Sequence, residues 1–358
     1  MDAIAGALYG IPVLGLLFQF AGYLIAIVPP IAPIILRSAT PLALGALCGV
    51  LCERSGVVNI GIEGTMLAAA FTGWVVGVWL APILGADPGP IFGTSPVLLI
   101  ALGCALLVSV AIAAVHAWLS ISVRANQIIA GTIINIAAFG ITGYLNAIIA
   151  KGSPTSAGAF SAWTPPTALT DLPIVGWILN MFLAQGPISM SVLVLVIVLQ
   201  VLLFRSRWGL RTRAVGEHPK AAETVGIDVL RVRYRNVILS GLLAGLAGAF
   251  LSMEQTNSFQ AQMTAGRGFI ALAAMIVGRW TPVGALLAAL LFSSFEAIGQ
   301  VLSFRPPGGE LGDLLTSVPG QVYGALPYIV TIVVLAGIVG RSVPPAADGL
   351  PYERESAT

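Results

Sequence analysis

Ten apolar runs bounded by Gly, Pro or charge follow one another along the chain, at approximately 4–28, 34–52, 57–82, 97–121, 127–149, 188–204, 237–254, 268–281, 284–302 and 326–340. A helix needs about 20 apolar residues to cross a bilayer. Most runs meet that length, whereas 268–281 is short and predicts a tilted or broken segment. Polar residues collect between the runs, most densely from Arg205 to Arg235. Arg205, Arg207, Arg211, Arg213, Lys220, Arg231, Arg233 and Arg235 lie there, interleaved with Glu217, Glu223 and Asp228. A basic block between two long apolar runs belongs in water on the cytoplasmic side of a membrane.

Composition agrees with this pattern. Of 358 residues, 57% are hydrophobic and 9% charged, against about 25% charged in a soluble globule. The chain is predicted to be all-α, a polytopic transmembrane bundle of about 10 spans, with no room for a sizeable soluble domain. Chemistry that needs such a domain must come from a partner chain. The first run carries Asp2 where a secretory signal has positive charge, and it shows no clean small-residue cleavage site, so it is expected to be retained as a span. Cys48, Cys52 and Cys104 are too few for a disulfide framework or a zinc site and are expected to be packing residues.

Alternating the spans outward from the basic block places both termini in the cytoplasm. Arg54, Arg124, the eight residues of the block, Arg279, Arg341 and Arg354 then fall inside, thirteen of the seventeen Lys and Arg; Arg37, Lys151, Arg267 and Arg305 fall outside. That bias is what the positive-inside rule expects. One long external segment remains, Lys151 to Gly186, rich in Pro, Ser and Thr and carrying Trp163 and Trp177. It either receives an external partner or lies in the interface on its Trp residues. The tail from Pro344 to Thr358 has the composition of a disordered end. Small-xxx-small spacing at Gly45 and Gly49, Gly73 and Gly77, and Gly241 and Gly245, with Gly248 following, predicts close helix packing.

Several chemistries are excluded. A P-loop needs Lys before Ser or Thr, yet Gly152 follows Lys151 and Ala221 follows Lys220, the only lysines. No ATP site lies in this chain, so no cofactor is expected in it. With His116 and His218 as the only histidines there is no HExxH, and no GxSxG occurs. The chain is not expected to be an enzyme.

What remains are polar residues inside apolar runs, where an ionisable group implies a partner or a function. Glu63, in NIGIEG, lies four residues after Asn59 and between Gly61 and Gly64, which permit a broken helix lining a cavity. Its bland alternative is a pair with Arg54 near the end of the span. Gln127, Asn135 and Asn146 share one run, Glu296 and Gln300 stand four apart on another, and Glu254, Gln255 and Asn257 cluster at an external mouth. Each suits contact with an uncharged hydroxylated solute, and each equally suits interhelical hydrogen bonding. Phe71, Phe250, Phe269 and Phe295 either stack on a flat ring or pack the core. A buried pair such as Glu63 and Glu296 would also serve an ion-coupled carrier. Within the basic block, Pro219 opens and Gly226 closes a short helix containing Ala221, Ala222 and Glu223, a handle for a partner to push.

TPLALGALCGVLCERSGVVNIGIEGTMLAAAF (Thr40 to Phe71), AVGEHPKAAETVGI (Ala214 to Ile227) and GRGFIALAAMIVGRWTPVGALLAALLF (Gly266 to Phe292) together resemble the permease subunits of bacterial ABC importers for nucleosides and simple sugars. These are related more distantly to ribose and branched-chain amino-acid permeases. The ERSGVVNIGIEG run leans toward the nucleoside subgroup. The resemblance implies a type II importer-like permease over 1–343, with an external loop at 151–187 and a coupling loop at 205–235, in a bacterial inner membrane. It implies that Gly216, Glu217, Pro219, Ala221, Ala222, Gly226 and Ile227 dock on an ATPase subunit that binds the ATP. It also implies a second permease subunit and an external binding protein, with simple sugars or amino acids as the alternative cargo. Asn59, Glu63, Asn135, Glu254, Gln255, Asn257 and Glu296 are the expected substrate-pathway residues.

Overall fold

The computed structural model describes residues 12–353 apart from 86, 88, 90, 150–157, 173–174, 335 and 337–341. Every regular element among the described residues is a helix, as lipid requires of backbone that must satisfy its own hydrogen bonds. Helix α1 runs Pro12–Glu53, α2 Ile62–Leu84 and α3 Pro96–Ala117 with a π-helical turn at Trp118–Ser122, followed by α4 Gln127–Ile149. Two short helices, α5 Thr167–Thr170 and α6 Val175–Leu183, precede α7 Pro187–Arg205. The basic block folds as α8 Arg207–Glu217 and α9 Pro219–Thr224. Then come α10 Val229–Ala249 with a π-helical end at Phe250–Gln255, α11 Arg267–Val277, α12 Pro282–Phe304, α13 Glu310–Thr316 and α14 Gly320–Val333.

Seven described helices are long and apolar enough to cross a membrane, and α11 and α14 are shorter apolar helices. The first two apolar runs form one helix rather than two. Pro29, Pro30, Pro33 and Pro41 lie inside α1 without reversing it. Its 42 residues reach about 63 Å at 1.5 Å per residue. Glu53 meets Trp280 at one end of α12, while Tyr23 donates to the Arg305 carbonyl at the other, 2.5 Å away. Proline is tolerated where neighbouring helices re-satisfy the freed backbone. Loop chemistry in the sequence therefore does not become a loop.

The core is built on close approaches. A Cβ on Gly45 would stand 2.8 Å from that of Ala271, one on Gly241 2.7 Å from that of Ala113, and one on Gly73 2.8 Å from the Met253 sulfur. The expected glycine seams thus carry α1 against α11, α10 against α3, and α2 against the end of α10. Without a strong hydrophobic drive between helices in lipid, such contact is what dispersion rewards.

At the end of the bundle away from the basic block, the described part of the long segment packs rather than floats. Phe160 is buried, and its N–H donates to the Met253 carbonyl. Trp163 and Gln185 are joined through the backbone, and the Gln185 amide donates to the carbonyls of Pro33 and Met181. Lys151 lies outside the described residues.

Candidate functional site

Non-helical backbone inside a membrane bundle needs a partner for each N–H and C=O. Between α1 and α2 the side chains of this chain supply them. Gln127 accepts from the Val58 N–H at 2.7 Å, and His116 donates from Nε2 to the Val58 carbonyl at 3.0 Å. Asn135 accepts from Gly64 at 2.7 Å and donates to the Ile60 carbonyl at 3.0 Å. Asn59 accepts from the N–H of Gly61. Gln127, Asn135 and Asn59 are thus engaged in holding the break between two helices.

Glu63 holds a second break. Helix α11 has 11 residues, about 16 Å, roughly half the about 30 Å of a bilayer core. It begins inside the bundle at Gly266, whose φ of +80° is the left-handed conformation glycine adopts without strain. The two Glu63 oxygens accept from the N–H groups of Gly266 (2.8 Å) and Gly268 (2.6 Å). A carboxylate across a helix N-terminus satisfies orphan donors and meets the positive end of the dipole. The alternative pair with Arg54 does not form. Arg54 instead donates to the carbonyls of Trp280 (2.8 Å) and Arg279 (3.2 Å), fastening the α11–α12 turn, where both residues have positive φ.

Glu254 repeats the device. Buried at the π-helical end of α10, it accepts from the N–H of Ile188 (2.8 Å) and of Ser189 (3.2 Å) and from the Ser189 hydroxyl, capping α7. Gln255 and Asn257 beside it are exposed. Phe71 and Phe250 are core residues, Phe71 packing edge-on against Phe259 with centroids 5.1 Å apart.

Glu296 is placed differently. It stands 3.5 Å from Arg267 at the tip of α11, with both side chains about a quarter exposed (22% and 24%). Pair and neighbours line a cavity of about 420 Å³ bounded by α1, α11, α12 and α14. Glu63 and Glu296 are not paired with each other; they flank the half-helix tip from two sides. Arg267, which charge counting had assigned to the external surface, is the residue sequence reasoning missed, and its place beside a short apolar run was the available signal.

At the basic end, Ser206 caps α8, Pro219 opens α9, and Gly226 (φ +79°) turns the chain out, as expected. Ala222 is buried against Val215, Val229, Val232 and Tyr352, while Ala221, Thr224 and Val225 are exposed. Ile227 is half-buried, its N–H bonded to the Ala222 carbonyl. The Ala pair thus divides its duty, Ala222 anchoring the loop and Ala221 facing out.

The expected disordered tail is a strap over the residues described to Glu353. Ala347 donates to the Gly216 carbonyl at 2.9 Å, Ala346 to the Glu217 carboxylate at 3.1 Å, and Arg233 to the Leu350 carbonyl at 2.9 Å. The Tyr352 hydroxyl donates to Glu223, and Arg124 pairs with Glu353. The Asp348 carboxyl lies beside Glu53 and the fully buried Arg233. Pro and Ala composition suggested disorder, but Pro345, Ala347 and Tyr352 are buried. Residues 354–358 lie outside the described set.

The chain matches the family model for the branched-chain amino acid transport system/permease component over residues 31–335. It is 37% identical to the guanosine ABC transporter permease protein NupQ of Bacillus subtilis, covering 92% of this chain and 98% of that one. It is 34% identical to the nucleoside ABC transporter permease protein NupC of Lactococcus lactis (88% and 93%) and 35% identical to the putative glucose ABC transporter permease protein TsgC13 of Haloferax volcanii (86% and 90%). No solved structure matches it. Apolar crossings, a strapped basic loop and these likenesses over most of its length agree: the chain belongs to the branched-chain amino acid transport system/permease component family and is a transport component rather than an enzyme.

Proposed function

We propose that the chain is the transmembrane permease subunit of an ABC importer that carries nucleosides by alternating access, driven by ATP bound on a partner subunit. The observation that carries this reading is likeness at 34–37% identity over nearly the whole chain to permeases named for nucleosides and guanosine. The likeness to a putative glucose permease favours a simple sugar as the second reading. Uptake decides between them. Vesicles holding the assembled importer are expected to accumulate labelled guanosine in an ATP-dependent way, with excess glucose competing weakly; ATP-dependent accumulation of glucose and not guanosine reverses the assignment.

The partners follow from the family. The exposed edge of α9, with Ala221 and Val225, offers the ATPase a docking face, and Gly216, Glu217, Pro219, Ala222, Gly226 and Ile227 shape it. A second permease subunit and an external binding protein complete the assembly. The membrane is the bacterial inner membrane, with the basic end cytoplasmic. Because α1 is one crossing, its N-terminal end lies outside, in place of the cytoplasmic N-terminus expected from ten spans. Single cysteines at Ser161 and Thr224, both exposed, report the orientation in a background lacking Cys48, Cys52 and Cys104. An impermeant maleimide should label the first in intact cells and the second only after permeabilisation; equal labelling of both refutes the orientation.

A further inference from the structure

We infer that the cavity at the tip of α11 is the solute site of this permease, and that the Arg267–Glu296 pair with Gln300 holds the hydroxyl groups of an uncharged sugar-bearing solute. The inference rests on the import reading and deepens it.

Four observations converge. The backbone from Thr256 to Gly266 is non-helical and leads into a half-helix, and at membrane depth such backbone occurs only buried in protein or lining a cavity. The cavity holds about 420 Å³, inside the roughly 300–1,000 Å³ usual for small-molecule pockets. The other buried polar side chains expected on the path, Asn59, Glu63, Asn135 and Glu254, are engaged by backbone N–H or C=O groups. Glu296 instead faces Arg267 at 3.5 Å, longer than the about 2.7–2.9 Å of a formed charge-assisted bond.

The chemistry of the lining selects the ligand. A guanidinium and a carboxylate cancel in net charge, so the site favours neither cation nor anion. A vicinal diol can donate to the Glu296 oxygens and accept from Arg267, closing the gap the pair leaves open. Gln300 and Ser303 add donors and acceptors at the same wall. The hydroxyls of Tyr323 and Tyr328 are already bonded to the carbonyls of Leu315 and Ala265, so these residues contribute ring surface. A lipid tail would leave the ionic pair unsolvated, which argues against lipid as the occupant.

The test uses the full importer, with its ATPase, second permease and binding protein, in proteoliposomes. Guanosine is compared with 2′,3′-dideoxyguanosine for the parent, Glu296→Gln and Gln300→Ala. In parallel a Ser303→Cys variant lacking the native cysteines is labelled with maleimide, with and without guanosine or D-ribose. Hydrogen bonds to charged groups predict that the parent discriminates between the nucleosides by about tenfold or more. Glu296→Gln should lose most of that discrimination, and an imported solute should slow labelling. If guanosine is imported but both variants discriminate like the parent and labelling is unaffected, the cavity is not the site, and the import reading survives. If no nucleoside is imported but D-ribose protects the Ser303→Cys variant, the nucleoside reading falls and the site stands. Should Glu296→Gln fail to assemble, Gln300→Ala and the labelling decide on the same terms.

Discussion

Glu63→Ala is expected to destabilise the permease by at least about 1–3 kcal/mol, because it strips the acceptor from the buried Gly268 N–H, with a smaller further loss at the half-buried Gly266 N–H. The α11 tip should fray, and with it the wall that carries Arg267. Glu63→Gln keeps one acceptor oxygen but turns an amide N–H₂ toward the second donor, so it should lose a smaller part of the stability and most of the uptake. Glu63→Asp keeps both acceptors on a shorter stem and should fall between parent and alanine. Thermal unfolding of the purified complex, followed by gel filtration, separates these cases from a charge role in transport, which would leave melting unchanged. An alanine variant that melts and transports like the parent would show that the cap contributes nothing.

Truncation after Ser342 is expected to open the basic loop. It removes the donors to Gly216 and Glu217, exposes the face of Ala222, Val229 and Val232, and leaves Arg233 buried without the Leu350 carbonyl. Uncompensated buried charge costs several kcal/mol, so Arg233 should pull outward and the loop follow. Tyr352→Ala alone removes a buried ring, about 3–5 kcal/mol of local packing. Both variants should insert normally, become susceptible to trypsin at Lys220, and lose copurification with the ATPase subunit. Parent-like protease resistance would mean that the strap rests on the loop without holding it.

The strap also has a pH dependence. Burial, the leading effect, pushes the Asp348 carboxyl from 3.8 up to about 6, against the lowering effects of the Glu53 hydrogen bond, the Gly349 N–H and the Arg233 charge. A carboxyl raised on docking binds its proton more tightly docked than free. Docking is therefore strongest at low pH and weakens as pH rises through about 6. Protection of the loop should be greater at pH 5.5 than at 7.5.

Much of this chain was legible beforehand. The apolar runs, the basic block, the helix opened by Pro219 and closed by Gly226, and the glycine seams all follow from solvent preference and local sterics, which each residue carries with it. The α1 prolines misled, because a proline ends a helix in water more readily than in a packed membrane bundle. The tail misled for the opposite reason: its Pro and Ala residues have low local structure and acquire order only from surfaces more than a hundred residues away, such as the Gly216 carbonyl.

Composition and period by themselves determined a helical membrane protein with a basic face, since they register which solvent each side chain prefers. Tertiary structure alone decided the roles of the polar residues. Glu63 caps a helix 203 residues downstream, Glu254 caps one 66 residues upstream, and Glu296 is left facing a cavity beside Arg267. In the chain all three are a carboxylate in an apolar run. Only the position of distant N–H groups separates a cap from a group free to meet a solute.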